Sequence, residues 1–147
     1  MIAALIFAGV IAVDQIVKYV IRAGLMPGES LPIVPGFFRL TFVRNEGAAF
    51  SMFENNTLVT VGLTSILIII CILVFIASRR KGSSLVSYCM MLIIAGGVSN
   101  LFDRLCFGYV TDMFSFGNFA VFNVADIAIV AGCLLTMLII ITGKEEI

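Results

Sequence analysis

The sequence predicts an all-α membrane protein, with four transmembrane helices and a small extracytoplasmic β element. Three observations predict it. Hydrophobic residues make up 61% of the 147-residue chain, against roughly 45–50% in an average soluble domain. Charged residues make up only 12%, about half the usual share. Long uncharged runs recur along the chain, and a dense cationic cluster, Arg79-Arg80-Lys81, separates two of them. A chain of this length forms one domain, 1–147, and lacks the interior volume to hide so much apolar surface from water. Lipid supplies the missing environment.

Helix 1 is expected over about 1–23. Met1 to Val13 is apolar and continues through Asp14 and Lys18 to Arg22. A secretory signal peptide competes for this stretch, but no basic region precedes the apolar run and no clear A-x-A site follows it. Segment 24–56 comes next. Pro27, Gly28, Pro32, Pro35 and Gly36 punctuate it with turns. Phe38, Leu40 and Phe42 then alternate with Arg39 and Thr41, the period of a strand. Helix 2, about 57–78, contains Leu58–Ala77, an uncharged run of 20 residues, about the length that crosses a bilayer's hydrocarbon. Helix 3, about 84–103, contains the uncharged run Leu85–Phe102. Helix 4, about 123–142, contains Ile127–Thr142 and extends back through Val121–Ala125 across Asp126.

Three adjacent cations in the short loop between helices 2 and 3 mark the cytoplasmic side. The density of the cluster favours this orientation over a bare count, since Lys18, Arg22, Arg39, Arg44 and Arg104 fall towards the other side. Both termini are then cytoplasmic, and segments 24–56 and 104–122 face outward. The formal net charge is zero and there is no histidine. Nothing suggests nucleic acid, and the commonest metal ligand and general base is missing. Cys71, Cys89, Cys106 and Cys133 form no C-x-x-C pair, so they read as small apolar fillers. No metal or cofactor is expected.

Ionisable groups inside a membrane are costly, and each one is a functional hypothesis. The chain has four aspartates: Asp14, Asp103, Asp112 and Asp126. Asp14 and Lys18, at i and i+4, share a face, either as a mutually neutralising pair or as a buttress to a site. Gly96, Asn100 and Asp103 form one stripe on helix 3, with Gly97 and Arg104 beside it. A packing seam explains the glycines well and explains Asp103 and Arg104 less well. Asn123 and Asp126 share a face at the start of helix 4, where the positive dipole end also suits a carboxylate. Asp112 lies 14 residues before Asp126, with the turn signal Gly117-Asn118 between them. The chain can therefore fold back and bring the two carboxylates together. Such a pair shares one proton. The ionised partner takes a proton from a trapped water, and the neutral partner polarises the carbonyl under attack. Paired acids also serve proton relays.

Five motifs in order make the reading specific: Asp14-Gln15-x-x-Lys18, Asn45-Glu46-Gly47-Ala48-Ala49-Phe50-Ser51, Gly96-Gly97-Val98-Ser99-Asn100-Leu101-Phe102-Asp103-Arg104, Val110-Thr111-Asp112-Met113-Phe114 and Phe122-Asn123-Val124-Ala125-Asp126. Across essentially the whole chain they resemble the lipoprotein signal peptidase (signal peptidase II) family. The resemblance implies an aspartic endopeptidase of the bacterial cytoplasmic (inner) membrane, with its active site near the extracytoplasmic face. It implies cleavage of diacylglyceryl-modified prolipoproteins before the lipidated cysteine. Asp112 and Asp126 match the catalytic pair. Asn45, Gly47, Asn100, Arg104 and Asn123 match positions that line the site or bind substrate, and Asp14 and Lys18 match helix-1 positions. The implied partners are the lipid-modified prolipoprotein, membrane lipid and, as inhibitor, a cyclic peptide antibiotic of the globomycin type. Two residues depart from the family pattern: Ser99 where glycine is usual before the asparagine, and Met113 where phenylalanine is usual. On the residues alone, a proton-coupled transporter and a non-enzymatic assembly protein are the rival readings.

Overall fold

In the computed structural model, residues 1–47, 57–117 and 119–144 are described. The elements run α1 (Ile2–Gly24), β1 (Ser30–Val34), β2 (Phe38–Asn45), α2 (Thr57–Arg80), α3 (Ser84–Phe107), β3 (Val110–Phe116) and α4 (Val124–Ile141). All four helices are long and apolar enough to cross a membrane. Large apolar side chains such as Leu67, Leu73, Val130 and Leu134 stand exposed along α2 and α4. That is the arrangement lipid stabilises and water does not.

Helix α3 is the centre of the bundle. Half of its apolar stretch is buried, against 6% for α2, and α1, α2 and α4 all pack on it. Glycines allow the close approach. A Cβ on Gly96 would lie 2.5 Å from the Ala125 carbonyl oxygen, and one on Gly132 would lie 2.8 Å from that of Cys89. The expected packing seam is therefore present, with α4 seated directly on α3. Helix α3 also runs to Phe107, past the end at 103 that its charges suggested. Asp103 does not stop it, because the carboxylate turns into the bundle and is neutralised there. The helix ends instead at Gly108, which takes the left-handed conformation at φ 80°.

The three strands form an antiparallel sheet in the order β1-β2-β3 at one end of the bundle. The period-two pattern pointed to β2; β3 had no such signal, since Val110 to Met113 are buried in succession. Leu40 pairs with Phe114 and Val43 with Asp112, so Thr41 and Phe42 oppose Met113 alone. This bulge bends β2 beside Asp112. Met113, Phe42 and Ile21 make one buried cluster that ties α1 to the sheet. A second cluster, Val86, Cys89, Met90, Ile94 and Ile139, fills the opposite end of the bundle.

Candidate active site

Polar side chains concentrate in one layer at the sheet end of the bundle. Helix α1 supplies Asp14 and Lys18, both fully buried, with Nζ 2.8 Å from the Asp14 carboxylate. Lys18 lies 3.2 Å from Asp103 on α3 and donates to the Asn100 Oδ1 at 2.9 Å. Asp103 also accepts from the Thr111 amide at 3.1 Å and lies 3.8 Å from Arg22. The sequence left open whether Asp14–Lys18 neutralises itself or supports a site. The geometry joins the two roles, because the neutral pair holds Asn100.

Asp112 and Asp126 come together through Asn123. The chain turns at Gly117, where φ is 51°, and the Phe114 and Phe122 backbones bond to each other. Asn118, the other half of the turn signal, lies outside the described residues, as do Ala48 to Ser51 of the second motif. Asn123 then caps α4. Its Oδ1 accepts from the Asp126 amide at 2.8 Å, and the Asp126 carboxylate accepts from the Asn123 amide at 3.2 Å. The reciprocal capping box fixes Asp126 at the helix start. With its Oδ1 engaged, the Asn123 Nδ2 must face outward. It donates to Asp112 Oδ1 at 2.6 Å and Asn100 Oδ1 at 3.2 Å.

The same logic orients the other amides. Asn100 Oδ1 receives two donors, so its Nδ2 donates to Asp126 Oδ1 at 2.8 Å. Asn45 Oδ1 accepts from the Gly47 amide at 2.9 Å, so its Nδ2 donates to Asp112 Oδ2 at 2.8 Å. Gly47 has φ 116°, a conformation that side-chain-bearing residues rarely adopt. None of the three amides can flip without setting donor against donor. Three asparagines thus aim N–H groups at two carboxylates. Burial pushes the Asp112 carboxyl up to about 6 from its ordinary 3.8, and the neighbouring Asp126 charge adds to the rise; the bonds from Asn45 and Asn123 and the Lys18 charge oppose it.

A cavity of about 240 Å³ opens beside this pair between α2, α3 and α4, and Asn100, Arg104 and Asp126 line it together with Cys71 and Ile68. A second, apolar recess of about 400 Å³ reaches Asp126 from the other side, between Phe119, Phe122, Val130 and Leu134. Arg104 forms no ion pair among the described residues; Asp103 pairs with Lys18 and Arg22 instead. Among the described residues, the buried Arg104 Nε meets no hydrogen-bond partner. Among the described residues no three His, Cys, Asp or Glu side chains converge as a metal site would need.

All nine residues singled out from the sequence therefore lie in or against one layer. Gln15, Ser99, Arg22 and Thr111 belong to it as well, without having been singled out for a role. Arg22 was findable, since it continues the Asp14, Lys18 stripe by one more turn. Ser99, noted only as a departure, donates to Asp14 at 2.7 Å. Met113, the other departure, is wholly buried and packs against Ile21 and Phe42.

The family model described as signal peptidase (SPase) II matches residues 6–142. The chain belongs to the signal peptidase II family. A lipoprotein signal peptidase of Moorella thermoacetica is 44% identical over 126 residues, covering 86% of this chain and 83% of the relative. One from Caldanaerobacter subterraneus is 41% identical over 134 residues, covering 90% and 91%. A bacterial membrane enzyme solved by the in meso method superposes with a TM-score of 0.82 at 26% identity, covering 97% of this chain and 88% of that one. The signal peptidase II assignment makes the protein a multi-pass membrane peptidase, and it sets aside the transporter and assembly readings.

Proposed function

We propose that the protein is an aspartic endopeptidase that removes signal peptides from diacylglyceryl-modified prolipoproteins, cleaving before the lipidated cysteine. Asp112 and Asp126 activate a water between them. The observation that carries this reading is the shared Asn123, which donates to one carboxylate through its side chain and to the other through its backbone. A single rigid residue thus sets the two acids relative to each other.

The neutral acid polarises the scissile carbonyl while the ionised one takes the proton from water. An Asp112 carboxyl raised to about 6 is suited to hold the shared proton. Arg104, always charged, cannot be the acid or base; its planar fork binds a peptide carbonyl or lipid ester at the mouth of the cavity. Apolar recesses on both sides of Asp126 suit a substrate that stays in lipid on either side of the scissile bond. Lipid nearby keeps the local dielectric low and strengthens each interaction. The apolar cluster at the opposite end of the bundle weighs against a proton path through the membrane. With the 79–81 cluster cytoplasmic, the site faces the extracytoplasmic side of the bacterial inner membrane. The sheet then lies over the peptide, and a globomycin-type cyclic peptide competes for the same place.

The test is incubation of the purified protein with a diacylglyceryl-modified precursor. Wild-type protein cleaves it, and Asp112→Asn and Asp126→Asn do not, while both variants still insert and fold. Turnover in either variant beyond a small fraction of wild type removes that residue from the chemistry.

A further inference from the structure

Resting on the two-aspartate reading, we infer that Gln15 and Ser99 are positioning residues: with Asp14 they form a clasp that fixes the start of α4 and, through it, the Asp126 carboxylate. The first N–H groups of a helix have no partner within it. In α4, Asn123 takes the amide of Asp126. The amide of Ala125, one residue earlier, is taken by Asp14 Oδ1 of α1 at 2.8 Å. Helix α4 is therefore capped partly by its own chain and partly by another helix. A carboxylate there also suits the positive end of the helix dipole.

Asp14 can hold Ala125 only if its own orientation is fixed. Lys18 reaches its Oδ2 at 2.8 Å, but Lys18 also serves Asp103 and Asn100. Ser99, wholly buried, is the second donor to that oxygen, at 2.7 Å. A hydroxyl has one proton, so its direction has to be set. Gln15 sets it by donating to Ser99 Oγ at 2.9 Å, which leaves the hydroxyl proton to point at Asp14. The Gln15 amide is itself fixed, because Nε2 also meets acceptors only, Asp103 Oδ1 at 3.0 Å and the Ser99 carbonyl at 3.3 Å. The order runs from Gln15 through Ser99 and Asp14 to Ala125. Asn100, next after Ser99 on α3, donates directly to Asp126. The same turn of α3 thus holds Asp126 by two routes. Neither Gln15 nor Ser99 bonds to Asp112 or Asp126.

The experiment measures kcat and KM for cleavage of a synthetic diacylglyceryl-modified precursor by the full-length purified protein, with melting temperature recorded for each variant. Ser99→Ala and Gln15→Met break the clasp at successive links. Ser87→Ala is the control, because Ser87 is a buried hydroxyl on the same helix whose bond, to the Ser83 carbonyl at 2.6 Å, lies far from the site. Small displacements of a reacting group cost large factors in rate, so S99A is expected to lose roughly tenfold in kcat with KM unchanged. Q15M falls in the same direction by less. S87A keeps wild-type kcat with a comparable loss of melting temperature. Wild-type kcat in S99A or Q15M overturns the clasp, as does a kcat loss that only follows melting temperature as in S87A. Asp112→Asn and Asp126→Asn in the same assay test the underlying reading separately. Turnover there refutes the two-aspartate chemistry, whereas an unchanged S99A beside two inactive aspartate variants refutes only the clasp.

Discussion

Replacing Gly96 by alanine adds one carbon at the place where α3 and α4 meet beside the site. That carbon would stand 2.5 Å from the Ala125 carbonyl oxygen and 2.8 Å from Ile129 Cγ1. Ordinary contact begins at 3.4 Å, so α4 must retreat by about 0.9 Å at Ala125. The Ile129 side chain can rotate away, but the backbone carbonyl cannot. Overpacking of this kind costs roughly 1–3 kcal/mol, and a shift near 1 Å at a reacting group costs on the order of 100-fold in rate. Asp126 follows Ala125 directly, so its 2.8 Å bond from Asn100 stretches with the retreat. Two neighbours serve as internal controls. Gly132→Ala crowds the same pair of helices, with Cys89 O at 2.8 Å, but two turns further along α4. Gly9→Ala meets nothing within 4 Å. Precursor cleavage and thermal unfolding in detergent are measured on all three. G96A and G132A lose similar stability, G96A alone loses turnover by tens- to a hundredfold, and G9A matches wild type. Equal turnover in G96A and G132A would refute the claim that helix spacing at Ala125 sets the carboxylate.

Lys18→Met leaves the buried Asp14 and Asp103 carboxylates without their shared cation; a loss of roughly 3–5 kcal/mol in unfolding measurements is expected, and a further Asp14→Asn change recovers part of it. Asp112 titrates near 6 in the fold against 3.8 ordinarily, so the folded protein binds this proton more tightly than the unfolded chain. Stability therefore falls as pH rises from about 4 through 6, and Asp112→Asn flattens that slope in pH-dependent melts. The same titration removes the shared proton, so kcat/KM declines above about pH 6. Asn45→Ala, which deletes a bond favouring the ionised form, moves that decline to higher pH. Arg104→Lys and Arg104→Ala both lower kcat/KM, since lysine keeps the charge and loses the fork; normal cleavage by the lysine variant would make the residue structural.

The helices were legible because lipid demands long apolar runs, and nothing else in the chain resembles them. The ionisable residues were legible for the opposite reason: an aspartate or lysine within such a run needs a partner. Their partners were less so. The spacing of Asp14 and Lys18 put them on one face, yet nothing local reveals that Lys18 also meets Asp103 on α3, 85 positions along the chain. Strand β3 escaped notice because both its faces are covered, which erases the alternation a half-buried strand displays. The end of α3 was misplaced because a charge in sequence looks like a boundary, whereas Asp103 is neutralised within the bundle. Ser99 read as a packing change, since a hydroxyl's role depends on which carboxylate the fold brings beside it.

Charge balance in the polar layer bears on the protonation of the central pair. Asp14 and Asp103 contribute two negative charges, and Lys18 and Arg22, the cations that face them, contribute two positive ones. This part of the layer balances itself, and the Lys18 charge also reaches Asp112. Asp112, Asp126 and Arg104 remain. With both acids ionised, this group carries one surplus negative charge against lipid and a buried backbone, which is costly. With one proton shared, Arg104 balances the pair, and the layer is neutral among the described residues. The arrangement of cations therefore leaves place for one shared proton on the pair, the state that the proposed two-aspartate hydrolysis needs. It also separates two kinds of buried acid. Asp14 and Asp103 each face a cation at close range. Asp112 and Asp126 face amide donors instead, which orient each carboxylate and favour its ionised form without supplying a formal positive charge.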